Sequence, residues 1–167
     1  GSSQPKLLGG FGGSLSWKTL SLSFNFVYRL GGYSYDATYA SLMTAPYSGH
    51  TGFNFHKDIS KSWTAENPNN MYARWQYDDR YFTSSSDRWL TKADYLNLQN
   101  ITLSYIIPRS IVNKLGIEGI IASAGVDDLY LLSKRKGFIP NRDFDGDLES
   151  GYYPSTRRFM LNLKFDF

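Results

Sequence analysis

The final nine residues constrain the fold most. Phe159, Leu161, Leu163, Phe165 and Phe167 alternate with Met160, Asn162, Lys164 and Asp166, and the sequence stops on the aromatic. A period of two with the apolar residues on one side is a half-buried β-strand. Terminal residues fray unless something ties them down, so a soluble domain seldom ends this way. Two architectures use such a strand. One is a sandwich. The other is a transmembrane barrel, whose last strand pairs with its first, apolar side to lipid and polar side to the lumen.

The alternation recurs upstream. Leu20, Leu22, Phe24, Phe26, Tyr28 and Leu30 interleave with Thr19, Ser21, Ser23, Asn25, Val27 and Arg29. About 9 to 11 tilted residues cross the hydrocarbon core, so this strand is long enough to span. Residues 6–17 predict another strand, loosened by Gly9, Gly10, Gly12 and Gly13 and joined to the first by a tight turn at Trp17, Lys18 and Thr19. A third is read over 93–107, with Ile101, Leu103, Tyr105 and Ile107 on one face and Thr102 and Ser104 on the other. Leu96 and Leu98 have the opposite parity. Either a bulge intervenes or they face something apolar inside. A fourth strand covers 117–131, where Gly119, Ala122, Ser123, Ala124 and Gly125 leave the facing open. The terminal strand is the fifth.

Composition narrows the class. Aromatic residues at 17%, with 13 Tyr, exclude a disordered chain, and the absence of helical periodicity excludes a bundle. The apolar runs are too short for a membrane-crossing helix. A mean hydropathy of -0.40 still fits barrel strands, which bury only alternate residues. The net charge is +3 and Lys134, Arg135 and Lys136 form the only basic run, which gives nucleic-acid binding no support. Without cysteine there is no disulfide framework, thiolate metal site or cysteine nucleophile. The sequence begins at Gly1 without a basic-then-apolar leader, which reads as a processed or partial chain.

Connection lengths add an independent argument, because short and long alternate along the sequence: a tight turn, a segment of roughly sixty residues, a short link through Pro108 and Gly116, and a second long segment. Outer-membrane barrels have short periplasmic turns and long extracellular loops. Five strands cannot close a barrel, since single-chain bacterial barrels start at about eight. The expectation is an all-β chain of five antiparallel strands completing a larger barrel. Leu20, Leu22, Phe24, Phe26, Leu161, Leu163 and Phe165 are expected to face lipid. Ser21, Ser23, Asn25, Asn162 and Lys164 are expected to face the lumen or a plug.

Four ordered runs carry a family resemblance: QPKLLGGFGGSLSWKTLSLSFNFVYRLGGYSYD at 4–36, SWTAENPNN at 62–70, SSSDRWLTKADYLNLQNITLSYIIPRSIVNKLGI at 84–117 and YYPSTRRFMLNLKFDF at 152–167. Together they resemble the C-terminal end of SusC/RagA-type TonB-dependent outer-membrane transporters. The most specific piece is 95–108, matching Tyr-Leu-x-Leu-x-Asn-Ile-Thr-Leu-x-Tyr-x-x-Pro, supported by Trp63, Thr64, Glu66, Asn67 and Pro68 upstream. The resemblance covers essentially the whole sequence, read as one C-terminal barrel segment, 1–167, without a plug domain. It implies a barrel of about 22 strands with a plugged lumen, of which these are the last five. It further implies a nutrient importer of oligosaccharides or peptides in the bacterial outer membrane. The implied partners are the remaining N-terminal barrel with its plug, TonB acting through that plug, membrane lipid, and a SusD-like surface lipoprotein, arranged as a dimer of transporter–lipoprotein pairs. Phe167 resembles the terminal aromatic of the barrel-assembly signal. One stretch departs from the family: Gly137, Phe138, Ile139, Pro140 and Asn141 stand where Gly-x-Asp-Pro-Glu is common.

Ligand contacts are expected in the long loops, because binding residues concentrate on loops held by a rigid scaffold. Segment 31–92 is expected to be extracellular. Trp63, Arg74, Trp75, Tyr77, Arg80, Tyr81 and Trp89 combine aromatic faces with charged groups, which suits sugar rings or peptides. The alternative is that these aromatics pack the loop against itself or against a lid protein. Asp143, Asp145 and Asp147, around Gly146, could converge on one Ca²⁺ or form a solvated acidic tip. His50 and His56 lack the further ligands of a zinc site. There is no Gly-x-Ser-x-Gly, His-Glu-x-x-His or P-loop, so no enzyme is expected and no cofactor other than that Ca²⁺. Competing readings are a TonB-dependent siderophore or cofactor receptor, a structural outer-membrane β-protein or adhesin, and a secreted carbohydrate-binding sandwich.

Overall fold

The computed structural model describes residues 1–47, 52, 54–68, 70–79, 81, 86–113, 116–140 and 155–166. In chain order the elements are β1 (Leu7–Trp17), β2 (Leu20–Leu30), β3 (Tyr33–Tyr35), α1 (Ala37–Met43), β4 (Leu90–Lys92), β5 (Tyr95–Ile106), α2 (Arg109–Val112), β6 (Gly119–Ser133) and β7 (Arg158–Asp166). The five long strands form one antiparallel sheet in the order β1-β2-β5-β6-β7, and β3 and β4 pair separately. All five anticipated strands are present at nearly the expected boundaries.

The first hairpin is the tightest connection. Trp17 pairs with Leu20, so Lys18 and Thr19 alone make the turn. Lys18 takes a φ of 54°, the positive value that two-residue hairpin loops need at their first central position. β1 is a full-length strand despite its glycines, because β2 supplies what they lack. Gly9 lies opposite Tyr28 and Gly13 opposite Phe24. The Tyr28 hydroxyl and the Phe24 ring cover the places where their Cβ atoms would stand. Between them Phe11 stacks on Phe26 at 5.0 Å between ring centroids. Large rings over glycines restore cross-strand packing.

The parity conflict at Leu96 and Leu98 resolves as a bulge. Pairing of β2 with β5 runs regularly to Asn25↔Asn100 and resumes at Phe26↔Leu98, so Gln99 is the extra residue. β6 adds another: pairing passes from Asn100↔Asp127 to Leu98↔Tyr130, and Asp128 adopts a φ of 49°. Aspartate tolerates that left-handed conformation better than most residues. Asn97 and Asn100 donate to the side chains of Asp128 and Asp127, at 3.1 and 3.3 Å, across the irregular step. The shift returns Leu96 and Leu98 to the face occupied by Ile101 and Leu103.

The long connection after β2 is more ordered than a plain loop reading anticipates. β3 and β4 pair from Tyr33↔Lys92 to Tyr35↔Leu90. Between them α1 packs Tyr39, Ala40 and Met43 against Trp89, with Tyr35, Ile59, Tyr72 and Trp75 at the margin. Asp36 caps α1 by accepting the Tyr39 N–H at 3.0 Å. Among the described residues, no helix is long and apolar enough to cross a membrane.

Candidate functional site

Two features with functional potential emerge, the two-sided sheet and the packed loop unit at one of its ends. Register aligns the side chains of the sheet into rows. Trp17, Leu20, Tyr105, Ala122 and Leu163 form one; Leu15, Leu22, Leu103, Ala124 and Leu161 the next; Gly13, Phe24, Ile101, Val126 and Phe159 a third. Phe11, Phe26, Leu98 and Tyr130 follow, then Gly9, Tyr28, Leu96 and Leu132, and finally Leu7 with Leu30. Not one charged or amide side chain interrupts these rows. Many of the residues are open, among them Leu161 at 89%, Phe159 at 74% and Trp17 at 68% exposure. A contiguous exposed apolar surface of this extent marks an interaction face.

The opposite face is mixed, and it carries the polar and charged side chains of the sheet. Ser16, Ser21, Ser104, Ser123 and Asn162 form one row, and Gly12, Asn25, Asn100, Asp127 and Arg158 another. Ser16 and Ser21 share a hydrogen bond at 3.2 Å and Ser104 and Ser123 one at 2.9 Å. Leu20, Leu22, Phe24, Phe26, Leu161, Leu163 and Phe165 therefore share one face, and Ser21, Ser23, Asn25, Asn162 and Lys164 share the other. Among the described residues β1 and β7 each pair on one side only. Such edges are templates for further strands.

The loop unit sorts the expected ligand-contacting residues by accessibility. Trp89 is 1% exposed, edge-on to Tyr39 at 5.8 Å, so in this arrangement it packs the loop and presents no face to a ligand. Trp75 is half-buried; its indole N–H donates to the Met43 carbonyl at 3.2 Å and its ring meets Phe55. Arg74, Trp63, Tyr77 and Tyr81 are exposed, Tyr81 at 91%. Arg80, Asp143, Asp145, Asp147 and Phe167 lie outside the described residues. Among the described residues no group of carboxylates or histidines has the geometry of a metal site.

A polar network absent from the sequence reading stiffens the unit. The Tyr39 hydroxyl donates to Asp58 Oδ2 at 2.8 Å and meets the Tyr72 hydroxyl at 2.7 Å, so with its own proton on Asp58 it accepts from Tyr72. Lys61 Nζ reaches Asp58 Oδ1 at 2.7 Å, and His56 Nδ1 accepts the Asp58 backbone N–H. Burial, followed by the hydrogen bonds to Tyr72 and Asp58, pushes the Tyr39 phenol far above its ordinary range. The Lys61 hydrogen bond, followed by that of Tyr39, holds the Asp58 carboxyl below its ordinary value. Asp58 thus stabilises the unit above the unfolded carboxylate value of 3.8, and that contribution is lost as pH falls through the lowered folded value. Tyr39→Phe removes the shared proton and is expected to cost about 1 to 2 kcal/mol of local stability, read as faster amide exchange over 37–43. Unchanged exchange rates would show the network to be dispensable.

The two long connections meet at a part-buried ion pair. Asp36, 2% exposed, accepts from Arg135 Nε at 3.2 Å and from its Nη2, while the guanidinium lies 4.2 Å over the Tyr39 ring. Arg135 lies two residues past β6, in a turn where Ser133 Oγ donates to the carbonyls of Arg135 and Phe138. Phe138 is itself 1% exposed.

Comparison with known proteins extends these observations. No family model matches the chain. It is 27% identical over 179 residues to TonB-dependent receptor P26 of Formosa agariphila and 23% identical over 177 residues to TonB-dependent receptor P3 of the same organism. Each match takes in 100% of this chain and 17% of the relative, so the chain spans about a sixth of their length. Among solved structures it is similar to the RagAB peptide importer in the open-open state, with a TM-score of 0.75 and 25% identity over 98% of this chain and 17% of that one. The closed-closed state gives a TM-score of 0.77 and 24% identity over 99% and 18%. The resemblance to SusC/RagA-type TonB-dependent receptors thus runs the length of the chain, and the antiparallel sheet matches a fragment of a TonB-dependent barrel. These relatives are receptors and transporters, not enzymes.

Proposed function

We propose that this chain, similar throughout to TonB-dependent receptors, supplies wall and surface loops of an outer-membrane active importer. The face without a charge carries the proposal. From Leu20 to Leu30 it follows an 11-residue strand. At about 3.4 Å per residue and a tilt of about 45°, those rows rise about 24 Å along the membrane normal, against the roughly 25 Å apolar band of outer-membrane barrels. Trp17 and Tyr105 at one end and Tyr28 and Tyr130 at the other suit the aromatic girdles at the two interfaces. The serine- and asparagine-rich face then lines the lumen or meets a plug. The free edges of β1 and β7 take the remaining strands of the barrel, since an unpaired edge in hydrocarbon is prohibitively costly.

The imported nutrient is a peptide or an oligosaccharide, with peptides favoured by the likeness to the RagAB peptide importer. A SusD-like surface lipoprotein would cover the loop end, and TonB would act through a plug elsewhere in the protein. Trp63, Arg74, Tyr77 and Tyr81 are the exposed side chains in this unit suited to ligand or lid. Combined alanine substitutions there are expected to reduce uptake of labelled peptide severalfold at an unchanged level of folded barrel. Unaltered uptake, or uptake lost only in step with folded protein, would remove them from the site. Phe167 is read as part of the assembly address, so removing 165–167 is expected to lower the outer-membrane level but not synthesis. Equal membrane levels would refute that role.

A further inference from the structure

At the end of the sheet that bears the long connections, the apolar face deepens into a groove of about 550 Å³. Leu7, Tyr28, Leu30, Leu96 and Leu132 line it, and so does Lys134. The five apolar residues are the last two rows of the uncharged face, so the groove continues that face. Lys134 immediately follows β6, is exposed, and among the described residues has no acidic partner. The carboxylate that borders the groove, Asp94, accepts the Gly31 N–H.

An apolar slot with one ammonium group beside it complements an amphiphile that has an acyl chain and an anionic head. A free anion would make no use of the slot, and an uncharged lipid none of the lysine. We infer that the groove seats an acyl chain of a phosphorylated lipid of the outer leaflet, with Lys134 on the phosphate. Lysine suits this place because its stem lies along apolar surface while its charge stays in the polar layer. The inference rests on the lipid-facing reading of the sheet.

The test is native mass spectrometry of the full-length barrel in detergent, challenged with diphosphorylated lipid A and, separately, with phosphatidylcholine. Lys134→Glu is expected to reduce retained lipid A about tenfold, the loss of one charge-assisted contact. Leu96→Trp, which fills the slot, is expected to reduce it as well, and phosphatidylcholine is expected to be held weakly by all three proteins. Equal retention of lipid A by wild type and both variants, or equal retention of the two lipids, overturns the groove. Vesicle flotation of the same samples keeps the two readings apart. Barrels that float but show no selectivity refute only the groove, whereas barrels that fail to float refute the membrane face beneath it.

Discussion

Phe24→Arg is expected to destabilise the assembled barrel by about 2 to 4 kcal/mol, and the neighbouring Ser23→Arg by far less. The two positions differ by one residue and by the face they occupy. Phe24 lies in the third of the six apolar rows, between Gly13 and Ile101, near the middle of the band. An arginine there leaves its charge in hydrocarbon or distorts the bilayer to reach water. Ser23 pairs with Ser14 and Thr102 on the opposite face, where a guanidinium meets water or other polar groups. The contrast is measurable as a difference in urea-driven unfolding between the two variants inserted in vesicles. Equal losses at both positions would remove the facing argument, because a one-residue slip of register inverts every assignment.

Arg135→Met is expected to cost the loop unit about 1.5 to 3 kcal/mol, the range for hydrogen bonds to a charged group, because Asp36 is buried but Arg135 is partly open to solvent. Asp36, 2% exposed in the intact protein, then loses the guanidinium that pairs its carboxylate, although it still caps α1. Adding Asp36→Asn to Arg135→Met is expected to recover much of the loss, since a neutral amide still accepts the Tyr39 N–H. Amide exchange over β3, α1 and β4 reports the effect locally. The strands of the sheet are expected to keep their protection. No change in the single variant, or no recovery in the double, would show that the guanidinium does not hold the two connections together.

What was legible in the sequence follows from the range of the forces involved. Alternation reports burial on one side of an extended chain, so β2 and β7 could be placed from their own residues. β1 was legible in position but read as loose, because the glycines show their weakness locally whereas the rings that cover them belong to Tyr28 and Phe24 on the next strand. The parity break at Leu96 and Leu98 was visible, but a choice between bulge and inner apolar contact requires the partner strand. The loop unit was the least legible. Its core joins Tyr39 to Trp89, and its clamp joins Asp36 to Arg135, pairs so distant along the chain that no periodicity links them. Trp89 therefore looked like an accessible aromatic of the loop until the helix packed against it was in place. A ligand- or lid-contacting role for the exposed Trp63, Tyr77 and Tyr81 is a proposal, as is Ca²⁺ at the acidic stretch 143–147.

With no cysteine in these 167 residues, and any elsewhere in the protein replaced by serine, the central claim is directly measurable. Single cysteines placed in turn at 20–26 and 159–165 of the assembled barrel can carry a nitroxide label, with collision rates measured for oxygen, which concentrates in lipid, and for a water-soluble nickel chelate. The account predicts a period of two in both segments, with oxygen favoured at 20, 22, 24 and 26 and at 159, 161, 163 and 165, and the chelate at the residues between. Oxygen maxima at the serine and asparagine positions, or profiles without a period, would contradict it.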